Sequence, residues 1–309
     1  MTNKLFDKII DIELVERGGT VITILCPREG MKPRITVSGN FYANTIQNGT
    51  LKITNFYPER PLNSGNQEGA VYDWLRITAG YADGVNTVME GQSFLAYTES
   101  PGPDGVSCIT FFTGPMDVWM TVPMNKNWEA GVSINEVLRD VCDTLMTRTK
   151  LIITPKSYIA DSVKLEVPGL RASGTFSDLT QKLQSAYGLS MYPEGFNMIL
   201  CDTYLGKTDT YTLEYVNSIR KTAAGYTIIA PWIPGLRQND TLIVDSRFYT
   251  VENYGAIDVA FDTRFTVVNV AFEFSTTDDV NTMTVLCTGE IKETDGSRKV
   301  KRAGGDRIL

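Results

Sequence analysis

Leu51 and Ile53 alternate with Lys52 and Thr54, and Leu75, Ile77 and Ala79 alternate with Arg76 and Thr78. A period of two puts every second side chain on one face, so these segments bury their apolar residues only as strands with one covered face. Turn chemistry punctuates the run at Asn63, Ser64 and Gly65 and again from Ser100 to Gly105. Short alternating strands with dense turns predict a small β-barrel. Val21–Leu25 and Ile35–Val37 add two further strands, which extends this β unit over residues 1–125.

Beyond Pro123 the period changes. Ile134, Val137, Leu138, Val141 and Leu145 recur at helical spacing, with Ser133 and Glu136 in the positions of a capping box. Phe176, Leu179, Leu183 and Tyr187 form the apolar side of a second helix, which Thr175 can cap and Gly188 can end in a left-handed conformation. Strands are expected at Leu151–Thr154 and Asn197–Asp202, the latter after a turn holding Pro193, Glu194 and Gly195. Residues 126–205 therefore read as a small α+β domain inserted into the chain.

The last third returns to strands, at Tyr226–Ala230, Thr241–Asp245, Phe248–Tyr254, a long run over 265–274 and a final one over 282–289. Val268, Val270, Phe272 and Phe274 are expected on one face of the long run, opposite Asn269, Ala271 and Glu273. Residues 206–290 thus predict a second small barrel, and the polar, basic stretch 291–309 a flexible tail. The fold class is mainly β with an α+β insert. At 309 residues, two or three such bodies are what a chain of this length supports.

Composition narrows the chemistry. The chain has no histidine, which removes Ser-His-Asp, Cys-His and His-Glu-x-x-His chemistry outright. Asp278 with Asp279 and Glu290 with Glu293 are the adjacent carboxylates, and neither pair has partners that would fix a catalytic geometry. The glycine pairs lack the Lys-Ser/Thr of a phosphate loop. No enzyme activity, cofactor or metal is expected. Cys26, Cys108, Cys142, Cys201 and Cys287 are scattered through apolar segments and are expected as buried free thiols of a protein made in a reducing cytoplasm. A net charge of −7 argues against general nucleic-acid binding. No apolar run approaches the ~20 residues that span a bilayer, and the first ten residues carry no leader-like apolar core. Trp119, Trp128, Tyr192 and Trp232 read as core or interface anchors, with a carbohydrate-binding surface as the competing reading.

Three blocks in order resemble the hub proteins of bacteriophage tails and baseplates. They are LKITNFYPE with WLRITAGY, TFSDLTQKLQSAYGLSMYPEGFNMILCD, and APWIPGLRQNDTLIVDSRFYTVENY followed by VVNVAFEFS. The resemblance implies two tube-like barrels per subunit around the α+β insert, and a homotrimer whose six barrels make a pseudo-sixfold ring in the virion. That ring would join a tail tube protein to a central spike protein, with a tape measure protein as a further neighbour. Tyr57, Trp232 and Arg237 are the expected interface anchors in the first and third blocks, and Arg298, Lys299, Lys301 and Arg302 of the tail are expected to dock on an acidic partner surface. Two other readings stay open: a tube-initiating distal-tail protein, which would be a one-barrel hexamer, and a carbohydrate-binding or glycan-degrading β protein.

Overall fold

The structure, a computed structural model, describes residues 8–16, 21–26, 34–42, 47–56, 72–81, 84–99, 105–114, 122–149, 152–166, 168–203, 205–207, 209–222, 225–244, 250–251, 263–276 and 281–290. Tyr57, Trp119, the Asp278–Asp279 pair and the basic residues Arg298, Lys299, Lys301 and Arg302 lie outside them.

The first β region holds β1 (Lys8–Glu16), β2 (Val21–Cys26), β3 (Ile35–Tyr42), β4 (Asn48–Thr54), β5 (Tyr72–Tyr81), β6 (Gly84–Glu99) and β7 (Val106–Thr113). They pair in the order β2-β1-β5-β6-β7-β4-β3. The alternation works as read: Leu51, Ile53, Leu75, Ile77 and Ala79 are buried, while Lys52, Thr54, Arg76 and Thr78 stand on the other face. Phe94 breaks the alternation. It is the extra residue of a register shift between Ser93 and Leu95, and the bulge leaves its ring 61% exposed, edge-on to Phe112.

The insert carries β8 (Lys126–Trp128), helix α1 (Ile134–Thr149), β9 (Thr154–Ser157), β10 (Leu170–Ala172), helix α2 (Phe176–Tyr187), β11 (Leu189–Glu194) and β12 (Asn197–Asp202). Ser133 Oγ accepts the Asn135 amide at the start of α1, at 3.3 Å. The full reciprocal box appears on α2 instead: Thr175 Oγ1 accepts the Asp178 amide while Asp178 Oδ2 accepts the Thr175 amide. Gly188 closes α2 at φ 66°, as expected from its position. Pro193 and Glu194 belong to strand β11 rather than to the turn, which is confined to Gly195 and Phe196. The apolar sides of α1 and α2 pack with Met124, Met191, Met198 and Leu200 into a core distinct from that of the large sheet.

The C-terminal strands are β13 (Thr210–Leu213), β14 (Ser218–Thr222), β15 (Gly225–Pro231), β16 (Thr241–Val244), β17 (Thr250–Val251), β18 (Thr263–Ser275) and β19 (Asn281–Glu290). β18 departs from the expected faces. Two register shifts between Phe265 and Asn269 reset the alternation, so Phe265 and Val267 point inward with Val270, Phe272 and Phe274, and Val268 is displaced to a half-buried position.

The two β regions are continuous. β18 pairs antiparallel with β3, Asn269 opposite Tyr42 through Ser275 opposite Thr36, which fuses strands from both ends of the chain into one 14-stranded sheet. Phe41, Leu51 and Ile77 accordingly share a single apolar core with Trp232, Val270 and Phe274. Cys108, Cys142, Cys201 and Cys287 are buried free thiols.

Candidate functional site

The loop after β15 brings together the two residues that the sequence nominated in the third block. Trp232 is 1% exposed, its ring stacked on Phe272 at 5.1 Å between centroids and tilted against Phe274 at 4.6 Å. Its amide donates to Asn281 O at 3.1 Å, and Tyr81 Oη of β5 donates to its carbonyl at 3.4 Å. Trp232 therefore fastens the first β region to the last within one chain, and its side chain offers no surface to a neighbour. Tyr192 and Trp128 are also buried, at 1% and 7%, so these three of the aromatics nominated for a carbohydrate surface offer it no exposed ring.

Arg237 is 5% exposed and equally internal. Gly235 at φ 95° and Asn239 at φ 63° bend the loop so that the guanidinium turns back under β6. There Nη2 donates to Thr87 O at 2.9 Å and to Val88 O, Nη1 donates to Leu236 O at 3.1 Å, and the guanidinium carbon lies 4.3 Å from the Phe41 ring centre. A planar cation with five donors suits a pocket floored by an aromatic face and rimmed by carbonyls.

Around Arg237 lies a buried charge cluster that no sequence pattern announced. Lys207 Nζ is 2.9 Å from Glu194 Oε2 and 3.2 Å from Asp240 Oδ1, and Glu194 Oε1 is 3.9 Å from Arg237 Nε. Asp240 Oδ2 also accepts the Arg237 amide at 2.6 Å. Two cations thus face two carboxylates, and the side chains of Lys207 and Asp240 are each 2% exposed. Polar contacts continue outward from this centre: Tyr192 Oη donates to Gln238 O, Gln47 Nε2 to Gln238 Oε1, and Tyr158 Oη to Asp209. Beside it is a cleft of about 500 Å³ between the β11–β12 turn and the outer face of β1, β5 and β6, with Glu13, Arg76, Glu90 and Asn197 on its walls.

The environment shifts the charges in opposite senses. Burial pushes the Glu194 carboxyl up, but Lys207 and Arg237 outweigh burial and hold it below the ordinary carboxylate range. Burial pushes the Lys207 ammonium down, and Glu194 with Asp240 more than reverse that. For Asp240, burial wins over Lys207, and its carboxyl is pushed up to about 6. A raised carboxyl binds its proton more tightly in the folded chain, so its contribution is present at acid pH and lost as pH climbs through the window from about 4 to about 6. Relative to Asp240→Asn, the wild type is expected to lose about 3 kcal/mol of stability across that window, measured by urea unfolding at stepped pH. A difference that is flat with pH would show that folding leaves the Asp240 carboxyl at its ordinary value.

No protein-family model matches the chain, and no curated protein does. Among solved structures, the Escherichia coli c3393 protein, a component of the type VI secretion system described as similar to the T4 tail proteins gp27 and gp5, aligns over 88% of this chain and 78% of its own, with a TM-score of 0.54 at 13% identity. A tail protein from Neisseria meningitidis MC58 aligns over 92% and 97%, with a TM-score of 0.54 at 10% identity. The 43 kDa tail protein of prophage MuSo2 from Shewanella oneidensis aligns over 92% and 97%, with a TM-score of 0.53 at 9% identity. At these identities the likeness is one of fold. The chain shares a fold with these proteins over nearly its whole length.

Proposed function

We propose that the protein is a structural component of a phage-type tail or baseplate, and specifically a hub whose homotrimer joins a tail tube to a central spike. One observation carries this reading: a single chain contains two β regions fused edge to edge through β3 and β18. Three copies would supply six such regions, enough to present pseudo-sixfold symmetry to a hexameric tube and threefold symmetry to a spike. The fold likeness to proteins described as tail proteins supports the setting, a virion tail or baseplate. The division into units at 1–125, 126–205, 206–290 and a tail at 291–309 belongs to the same proposal.

Such an adaptor works by contact and needs no reaction. Its partners would be further copies of itself, a tail tube protein, a spike protein and a tape measure protein. Since Trp232 and Arg237 are spent inside the chain, the interface candidates that remain are Tyr57 and the basic residues Arg298, Lys299, Lys301 and Arg302, together with the bulge-presented Phe94. Light scattering of the purified protein is expected to give a mass near three subunits, and electron-microscopy class averages of the same sample a pseudo-sixfold ring. A six-subunit ring would favour a tube initiator, and a monomer that forms no ring would remove the self-assembling hub.

A further inference from the structure

We propose that the α+β unit is a latched arm, held against the large sheet by the Lys207–Glu194–Arg237–Asp240 cluster and able to swing as a body when that cluster is broken. Three observations carry the assignment. The cores are separate: the apolar residues packed around α1 and α2 form one cluster, and those of the 14-stranded sheet form another. What joins them is polar and apolar together: on the face of β11 and β12 turned from the helices, Tyr192, Ile199 and Cys201 are buried as a small cluster of their own with Tyr158. Glu194 at the end of β11 meets Lys207 and Arg237, Tyr192 Oη reaches Gln238 O, and Tyr158 Oη reaches Asp209. The apolar contribution includes the stacking of Phe196 on Trp74, at 4.3 Å between centroids and 18° between planes. Finally, the cleft of about 500 Å³ lies along this seam, so rotation of the arm about the latch has room to occur.

The division of labour follows from where each charge sits. Arg237 and Asp240 belong to the loop between β15 and β16, so they are part of the body, and Glu194 ends a strand of the arm. Lys207 stands between them, its amide donating to Asn239 O and its ammonium reaching both carboxylates. Neutralising Glu194 removes the arm's only carboxylate in this cluster and leaves both cores untouched. Packed interfaces tend to have discrete arrangements rather than a continuum, here shut and open.

Hydrogen exchange by mass spectrometry on Glu194→Gln tests this. Amides at the seam, those of Lys207 and of residues 237–240, are expected to exchange about tenfold faster or more, while those of α1, α2, β18 and β19 keep wild-type rates. A Cβ placed on Gly195 would lie 3.7 Å from Glu90 Cβ, inside the span of a disulfide. Gly195 stands at φ 60°, so a cysteine there carries backbone strain, and the reduced form of Glu90→Cys/Gly195→Cys in the Glu194→Gln background is the reference, from which oxidation is expected to slow the seam amides to wild-type rates. Unchanged exchange in Glu194→Gln, acceleration shared by every element, or acceleration that survives the cross-link would each overturn the proposal.

Discussion

Replacing Trp232 with alanine is expected to lower the unfolding free energy of the monomer by about 3–5 kcal/mol, the range for deleting a large aromatic from a packed core. The ring is lost from between Phe272 and Phe274, where β18 meets the loop after β15 and Tyr81 of β5. Chemical unfolding followed by circular dichroism reads the effect directly. Trp232→Phe is expected to cost much less, because it keeps most of the stack and removes an indole N–H that is buried without a hydrogen-bonding partner. An alanine variant with wild-type stability that no longer forms a ring would return Trp232 to the role the sequence suggested, an interface anchor.

Arg237→Met is expected to be of similar size, again about 3–5 kcal/mol, for a different reason. Methionine fills much of the volume but leaves the Thr87 and Val88 carbonyls without their donor and leaves Lys207 alone against Glu194 and Asp240. Arg237→Lys should rescue little, since an ammonium cannot serve two carbonyls of β6, Leu236 O and the Phe41 face at once. The same unfolding curves decide it: a lysine variant as stable as wild type would mean that charge alone, not the planar fork, holds this corner.

Both helices and most of the long strands were legible because each writes its period locally, whereas the strand expected at Leu151–Thr154 lies at Thr154–Ser157 and the short β8, β10, β13 and β14, like β1, were not read at all. Leu51 with Ile53 and Leu75 with Ile77 read as strands without reference to anything distant, and Thr175 and Gly188 bound α2 by chemistry within their own turns. Three further things were not legible. The β18 bulge shifts Val268 off the buried face because the strand must serve β16 over one part of its length and β3 over another. The fusion of the two β regions is a pairing between residues more than two hundred positions apart, and no local pattern encodes it. The charge cluster hid for the opposite reason: Glu194, Lys207 and Asp240 sit in turn-like, polar stretches where a charged residue normally means solvent. Arg237 was singled out as an anchor, and it is one, but its partners are Thr87, Val88 and Phe41 of its own chain.

The pairing of β3 with β18 also sets an order of events during synthesis. Thr36 Oγ1 meets Ser275 Oγ across 239 positions of sequence, so β3 has been made long before the strand that covers its outer edge exists. Until β18 leaves the ribosome, the first β region carries an unfilled edge and an apolar core lacking Trp232, Val270 and Phe274. The insert, with local helices and its own core, can form in that interval. A nascent chain of this kind is therefore most exposed to mispairing with a sister chain while its C-terminal third is being translated, and the last strands to emerge are the ones that end the danger.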